Sequence, residues 1–432
     1  MKLAKSCVIH PSSDGALVLG HLTYAAWKLW NAANYERKTW TKELGVPYPN
    51  WYEQKKRLKD HFWYKNLPSQ SAQELLHTLD GSWKSFFKLK ETGGVENPKP
   101  PKYKQKNFNV KYLKDGFTVL SGNRVRLAIP KQLRGYLQER FDVKDTFIYV
   151  DVPNHLQLEV EHVKTLEFKP LSGGKYELIA VVEVPDQEKE PNVSGRFMSM
   201  DFGVNNFLTC YLYDGSSHIF SGRQLLATNR YFDKMISYYD SLSDSQQAAK
   251  GTQYPKQSKR VDKLYEKRRK QIKHLLHVLT RAVINLAVEH GVETIILGDL
   301  SGIREEKNLG AKTNQKFHKW PFRKVVELIG YKTALVGIAV LKITEEYTSQ
   351  TCSACKPIPS QEYAHKSNRK YRGLYVCKDC GTVLNADVNG AMNIAKKYLE
   401  TQHSELTLSA GQPVVVLGTP KMYRFNGCSF VA

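Results

Sequence analysis

Along this chain the period of the hydrophobic positions changes from region to region. Up to about residue 89 apolar residues recur at helical spacing, which predicts helices over His21–Leu44 and Ser69–Leu89, the second capped by Ser69-Gln70-Ser71. Lys88–Lys106, KLKETGGVENPKPPKYKQK, breaks that pattern with Lys, Pro and Gly and reads as a linker or basic loop. From Val110 to about Val184 the pattern shortens to alternating runs at Arg124–Ile129, Phe147–Val152, Gln157–His162 and Glu177–Val184. Turn residues separate them, so a strand-rich, barrel-like module is predicted. The polar stretch Pro185–Gly195, PDQEKEPNVSG, ends it as a domain boundary.

Beyond the boundary, Arg196–Gly203, Phe207–Tyr213 and Ser217–Phe220 read as a meander, with Asp214-Gly215 in the last turn. A long helix is predicted over Ser258–Glu289, its apolar stripe being Ile272, Leu275, Leu276, Leu279, Val283, Leu286 and Ala287. Strand Thr294–Leu297, helix Lys324–Ala339, strand Val340–Glu345 and a helix from Asp387 follow. Three antiparallel strands and then alternating helices and strands is the element order of an RNase H-like α/β fold.

Charge narrows the function. Sixty-four Lys and Arg stand against 42 Asp and Glu in 432 residues, a net +22. A polyanion that neutralises such self-repulsion is expected as partner, and nucleic acid is the commonest one. Nine cations (Lys256, Lys259, Arg260, Lys263, Lys267, Arg268, Arg269, Lys270 and Lys273) oppose only Asp262 and Glu266 at the start of the long helix. Lys259, Arg260, Lys263, Lys267, Arg268 and Lys270 are accordingly the candidate phosphate contacts. Six of the seven tryptophans precede residue 84; packing of a small helical unit accounts for them, with stacking on bases as the other reading. No run of 18 apolar residues spans a membrane, and the first residues lack a signal-peptide core. The expected location is therefore intracellular.

Four of the seven cysteines are spaced Cys352-x-x-Cys355 and, after 21 residues, Cys377-x-x-Cys380-Gly381. Paired CxxC knuckles present four thiolates to one tetrahedral ion, which predicts a structural zinc with no open coordination position. Lys356-Pro357 replaces the glycine that usually follows such a knuckle. Two acids also stand out: Asp201 ends the apolar strand FMSMD, and Asp387 opens the helix NADVNGAMNIAKK. A strand acid and a helix-start acid converging on divalent ions is how two-metal phosphodiester hydrolysis is assembled.

The motifs Asp201-Phe-Gly-Val-Asn, Gly298-Asp-Leu-Ser-Gly, Tyr347-Thr-Ser-Gln-Thr-Cys-Ser-x-Cys and Asp387-Val-Asn-Gly-Ala-x-Asn-Ile resemble the signature of the TnpB (OrfB) family. Ser69-Gln-Ser-Ala-Gln and Pro100-Pro-Lys-Tyr-Lys extend the likeness upstream. The family comprises transposon-encoded, RNA-guided DNA endonucleases thought ancestral to type V CRISPR effectors. The resemblance implies a wedge-like β module (1–20 and 107–190), a helical recognition unit with basic linker (21–106), a RuvC-like nuclease domain (191–347 and 382–404), a zinc finger (348–381) and a C-terminal tail (405–432). It implies a guide RNA from the protein's own locus, a DNA target beside a short flanking motif, two catalytic Mg²⁺, one zinc, and the cytoplasm or nucleoid of a prokaryote. The long helix would lie against the guide–target duplex, leaving sequence readout to base pairing.

One position departs from the family. Where it usually carries Glu before Asp-Leu, this chain has Gly298, and Asp299 falls on the opposite strand face. Part of the family lacks that Glu and carries a substitute before the Thr-Ser-x-Thr-Cys motif. Strand parity groups Glu345 with Leu341 and Ile343, and Glu346 with Lys342 and Thr344. Glu345 is therefore the expected third metal ligand beside Asp201 and Asp387. The alternative is a nuclease-inactive, guide-directed repressor, and a strand-joining transposase is a weaker third reading.

Overall fold

The computed structural model describes residues 1–432 apart from 94, 122, 154–155, 157–161, 172–173, 186–194, 253–255, 300–319, 372 and 404–418. The chain forms two compact units, Met1–Pro185 and Asp186–Ala432.

In the first unit, β1 (Lys2–Ile9) leads into α1 (Ser13–Lys38). This helix starts eight residues before the expected His21. The Ser12 side chain accepts from the Gly15 amide at 3.2 Å, Asp14 sits in the first turn, and Arg37 and Lys38 close the last. Its buried stripe runs through Val18, Leu22, Ala25, Leu29 and Ala33. Short helices α2 (Trp51–Arg57) and α3 (Phe62–Lys65) precede α4 (Ser69–Thr92). No side chain caps α4; Pro68 stands at the N-cap position, so Ser69 is inside the helix and the expected serine cap is corrected.

Strands β2 (Val110–Leu113), β3 (Phe117–Leu120), β4 (Arg124–Ala128), β5 (Phe147–Asp151), β6 (Val163–Pro170) and β7 (Tyr176–Glu183) complete the unit, with the unanticipated α5 (Lys131–Phe141) between β4 and β5. They pair as two antiparallel sheets, β1-β7-β6-β2 and β3-β4-β5. The helices and both sheets share one apolar core, so the helical segment carries no core of its own. The expected strand Gln157–His162 lies almost wholly outside the described residues.

The second unit is a seven-stranded sheet between helices. Its strands are β8 (Phe197–Phe202), β9 (Asn206–Leu212), β10 (Ser217–Ser221), β11 (Thr294–Asp299), β12 (Ala339–Thr344), β16 (Lys421–Phe425) and β17 (Phe430–Val431), in the order β12-β11-β8-β9-β10-β16-β17. β8, β9 and β10 are antiparallel, whereas β11 runs parallel to both β8 and β12. The segment expected to be a tail adds a parallel strand: β16 joins β10 and stacks Tyr423 on Phe220 at 4.7 Å.

Strand parity sorts the sheet's faces. Met198, Met200, Ile295 and Leu297 pack on α7 (Lys259–Glu289) and α8 (Phe322–Ala334). Phe197, Ile296, Leu341 and Ile343 pack on α9 (Ala386–His403). Ser258 caps α7, accepting from the Val261 amide. Ahead of it, α6 (Arg223–Ala249) was not anticipated. Helix α8 stops at Ala334 rather than Ala339, because Gly337 turns with a positive φ of 68° into β12. The finger strands β13 (Arg369–Tyr371), β14 (Leu374–Val376) and β15 (Val383–Asn385) form a small antiparallel sheet. No described helix is long and apolar enough to cross a membrane.

Candidate active site and metal centre

Period-2 alternation brings the acids together. Phe197 and Ser199 face α9, where the Ser199 hydroxyl donates to the Ala391 carbonyl at 2.7 Å, so Asp201 faces α9 as well. Gly298 shares a face with Ile296, and Glu345 continues the face of Leu341 and Ile343. Asp387 enters from the first turn of α9. Asn385 is that helix's cap: its side-chain oxygen accepts from the amides of Asp387 (3.0 Å) and Val388 (3.3 Å). Freed from capping, the Asp387 carboxylate accepts from Asn206 Nδ2 at 2.8 Å and pairs with Arg369 at 3.5 Å.

Two glycines make room for this arrangement. A methyl at Gly298 would meet Glu345 Oε1 at 1.9 Å, so Glu345 occupies the space above that glycine. A methyl at Gly390 would lie 2.7 Å from Asp201 Oδ2; the glycine lets α9 approach the acid. Burial, followed by the charges of Glu345 and Asp387, raises the Asp201 carboxyl well above its ordinary range, with Arg369 acting against it. Three converging carboxylates with one opposing guanidinium fit a divalent cation better than they fit each other. Glu346 is exposed, and its charge opposes the burial that lowers the proton affinity of Lys397. The Gly298 site has its Asp299 neighbour on the opposite parity, with Ile295 and Leu297.

The motif after β12 and the motif of α9 interlock. Asn389 Nδ2 donates to the Thr351 carbonyl (2.9 Å), and Asn393 Nδ2 donates to those of Thr348 (2.7 Å) and Thr351 (2.8 Å). The Ser353 amide donates back to Asn389 Oδ1 at 2.9 Å, and the Thr348 hydroxyl donates to the Glu345 carbonyl at 2.8 Å. This lattice fixes both the backbone that carries Glu345 and the first cysteine knuckle. Sequence reasoning quoted these residues as motif without assigning them a role. It passed over Asn206 and Arg369, whose only signal was a polar residue beside an acid or on a hairpin.

The four cysteine sulfurs, Cys352, Cys355, Cys377 and Cys380, all lie within 4.8 Å of one another. Cys352–Cys380 is 3.8 Å and Cys355–Cys377 is 3.7 Å. A tetrahedron with Zn–S bonds of about 2.3 Å has edges of about 3.8 Å, so the quartet fits zinc. Gly381, with φ of 70°, makes the turn of the second knuckle. The Thr382 hydroxyl, 3.1 Å from Cys380 Sγ, lowers that thiol to about 6. Among the described residues no other group of this kind is as tight.

On α7, Lys259, Arg260, Lys263, Lys267 and Lys270 are exposed. Arg260 stacks over Tyr239 at 3.7 Å, and Lys270 pairs with Glu266 at 2.6 Å. Arg268 is turned away toward α6, bonding Asn229 (2.6 Å) and Asp233 (3.2 Å). It joins two helices, which corrects its place among the outward-facing cations.

A sheet flanked by helices, an acid face and a four-cysteine knuckle define a multidomain α/β protein, and its fold is that of a solved relative. The Cas12f1 chain of a cryo-EM structure of the Cas12f1–sgRNA–target DNA complex superposes with a TM-score of 0.60 at 18% identity, covering 89% of this chain and 83% of that one. Residues 179–304 match the OrfB_IS605 family, described as "Probable transposase", and 322–394 match the "Cas12f1-like, TNB domain" family. The TnpB-like protein ORF457 of Acidianus two-tailed virus is 25% identical over 86% of this chain and 81% of its own length. The CRISPR-associated endodeoxyribonuclease Cas12f1 of Sulfoacidibacillus thermotolerans is 36% identical over 28% of this chain and 25% of its own. Both family matches fall almost wholly in the second unit, and the relative matched over most of the chain is a TnpB-like protein.

Proposed function

We propose that this protein is an RNA-guided, Mg²⁺-dependent DNA endonuclease of a transposable element, cutting DNA matched to its guide beside a short flanking motif. Asp201, Glu345 and Asp387 are its metal ligands. The observation that carries the reading is Glu345 seated over Gly298, on the same sheet face as Asp201. An acid is thereby supplied to the β11 edge of the site although β11 itself offers none there. The strand order, three antiparallel strands and then two parallel ones on the β8 side, is the one an RNase H-like (RuvC) core requires.

Two Mg²⁺ ions would activate water and stabilise the leaving oxygen. The protein's own part is to hold the carboxylates. Asn206 orients Asp387, the Gly390 gap lets Asp201 reach the site, and the Asn389–Asn393 lattice fixes the turn bearing Glu345. Cys352, Cys355, Cys377 and Cys380 hold one structural zinc, and the exposed cations of α7 contact backbone phosphates of guide RNA and target DNA.

Gly298 also favours a second reading, a guide-directed repressor that binds without cutting. Guided cleavage by wild type, Glu345→Ala and Glu346→Ala separates the two. The nuclease reading expects loss in the first variant on the order of 10²-fold or more, comparable to removing one transition-state charge stabiliser, with target binding kept and Glu346→Ala near wild type. A wild type that binds target and never cuts establishes the repressor.

A further inference from the structure

The basic segment read from sequence as a linker begins inside α4, which runs to Thr92, and is tied down at Pro101, Lys102 and Lys104. The Asn31 side chain clamps Lys104 in both directions, its Nδ2 donating to the Lys104 carbonyl (2.9 Å) and its Oδ1 accepting from the Lys104 amide (2.8 Å). Trp27 Nε1 donates to the same carbonyl at 2.5 Å, Trp30 Nε1 to that of Lys102 at 3.3 Å, and Asn34 Nδ2 to that of Pro101 at 3.0 Å. Trp83 in turn donates to Asn34 Oδ1 at 2.9 Å. One face of α1, at spacings of three and four, thus grips an extended strap stiffened by Pro98, Pro100 and Pro101. Indoles that could have stacked on bases are clamps instead.

What the strap presents is charge. Lys99, Lys102 and Lys106 are exposed, and among the described residues none has a carboxylate partner. Lys38 lies 4.3 Å over the half-exposed Tyr103 ring. Some lysines elsewhere in the unit do have carboxylate partners: Lys84 pairs with Asp80, Lys111 with Glu74 and Lys65 with Asp60. Lys104 alone turns inward, over Trp30 and Phe108 at 4.6 and 4.7 Å, where burial lowers its proton affinity. Buried amides and indoles committed to holding an irregular segment, whose outward lysines lack counter-charges, make a pre-ordered track for a polyanion.

We propose that residues 99–106 are a phosphate-binding rail for a phosphodiester backbone, with Asn31 as its positioning residue. Ordering the strap in advance removes the entropy cost of fixing three flexible lysines' backbone on binding. The proposal rests on the nucleic-acid-guided reading above and adds to it a second contact surface in the other unit.

The test is the salt dependence of binding by the full-length protein, with two probes: RNA transcribed from its own locus, and duplex DNA. Each phosphate contact contributes about 0.7–0.9 to the slope of log affinity against log salt. The triple variant Lys99→Ala/Lys102→Ala/Lys106→Ala should flatten the slope by about 2–3 on the probe the rail serves. Asn31→Ala is the sharper variant, because it removes no charge: a slope flattened by one or more, in protein that still melts cooperatively, is unique to a positioning role. A triple variant with wild-type slopes on both probes overturns the rail. An Asn31→Ala protein that loses only stability overturns the clamp's role. If wild type itself binds neither probe, the guided-nuclease reading falls together with this one.

Discussion

The cysteine quartet and the acid trio are both candidate metal centres, and they are assembled in opposite ways. Each cysteine pair is fixed by a four-residue knuckle, and one small finger brings the pairs together with sulfurs 3.7 and 3.8 Å apart. The acids come from the end of one strand, the turn after another and the start of a helix, elements far apart in sequence. Thiols around a closed tetrahedron hold structure, whereas carboxylates brought together from separate elements can hold ions that keep positions open for substrate. The difference teaches that a local motif marks the scaffold here, and that the chemistry is marked only by parity across the sheet.

The largest effect expected from breaking the comparison is at Gly298. Glu345 Oε1 lies 1.9 Å from where a Gly298→Ala methyl would sit, so even this small change must expel the carboxylate. Guided cleavage should fall on the order of 10²-fold, as for loss of a charge-stabilising group, while target binding and the zinc content stay at wild-type levels. Normal cleavage by Gly298→Ala would remove Glu345 from the site.

At the other centre the expected loss is of structure first. Cys377→Ser should release zinc, seen by elemental analysis, and lower the melting temperature by several degrees. Structural zinc is coupled to folding in small metal-bound units. Cleavage should decline in step with the fraction folded. Zinc retained at one per chain in Cys352→Ser/Cys355→Ser would show that these thiols are not its ligands.

Next in size is the lattice that joins the two centres. Asn389 and Asn393 are buried, and each makes bonds to the loop between Glu345 and Cys352. Asn393→Ala takes a donor from the Thr348 and Thr351 carbonyls, of which Thr351 keeps its 2.9 Å bond from Asn389, and should destabilise by about 1–3 kcal/mol, with cleavage reduced more than melting alone explains. A variant that is merely less stable, cleaving normally at low temperature, would confine the residue to packing.

What the sequence disclosed follows from the same contrast. The CxxC spacing marked a candidate ligand set without a fold, because a knuckle is a local device. Asp201 and Asp387 were paired by element order and the family motifs, and strand alternation then chose Glu345 over Glu346, since nothing local links the three. Missed entirely were α6 and β16. The first carries few buried residues for its 27-residue length, leaving a weak apolar stripe. The second is a short strand whose partner, β10, lies far away in sequence. Arg268 looked like one more outward cation because sequence cannot say which face of a basic helix meets a neighbour.

The smallest expected effect concerns that distant pairing and depends on pH. His218 on β10 is buried, its Nδ1 3.2 Å from the Tyr423 hydroxyl on β16 and its Nε2 3.3 Å from that of Ser216. Burial, then the neighbouring His290, lowers it from 6.5 to about 4, with Asp214 opposing and Lys421 assisting. A histidine held neutral in the fold stabilises fully above the unfolded value, and that stability is lost as pH falls from about 6.5 toward 4. The whole shift corresponds to about 3 kcal/mol, of which part is realised, because β16 can loosen without global unfolding. Asp201, raised by burial and its fellow acids, has the opposite sign, so wild type must be compared with His218→Gln. Protection of the β16 amides, corrected for the intrinsic pH dependence of exchange, should fall between pH 6.5 and 4 in wild type and stay flat in the variant. An equal loss of protection in both proteins would remove His218 from the anchoring of the strand and leave it to the pairing with β10 and the Tyr423–Phe220 stack.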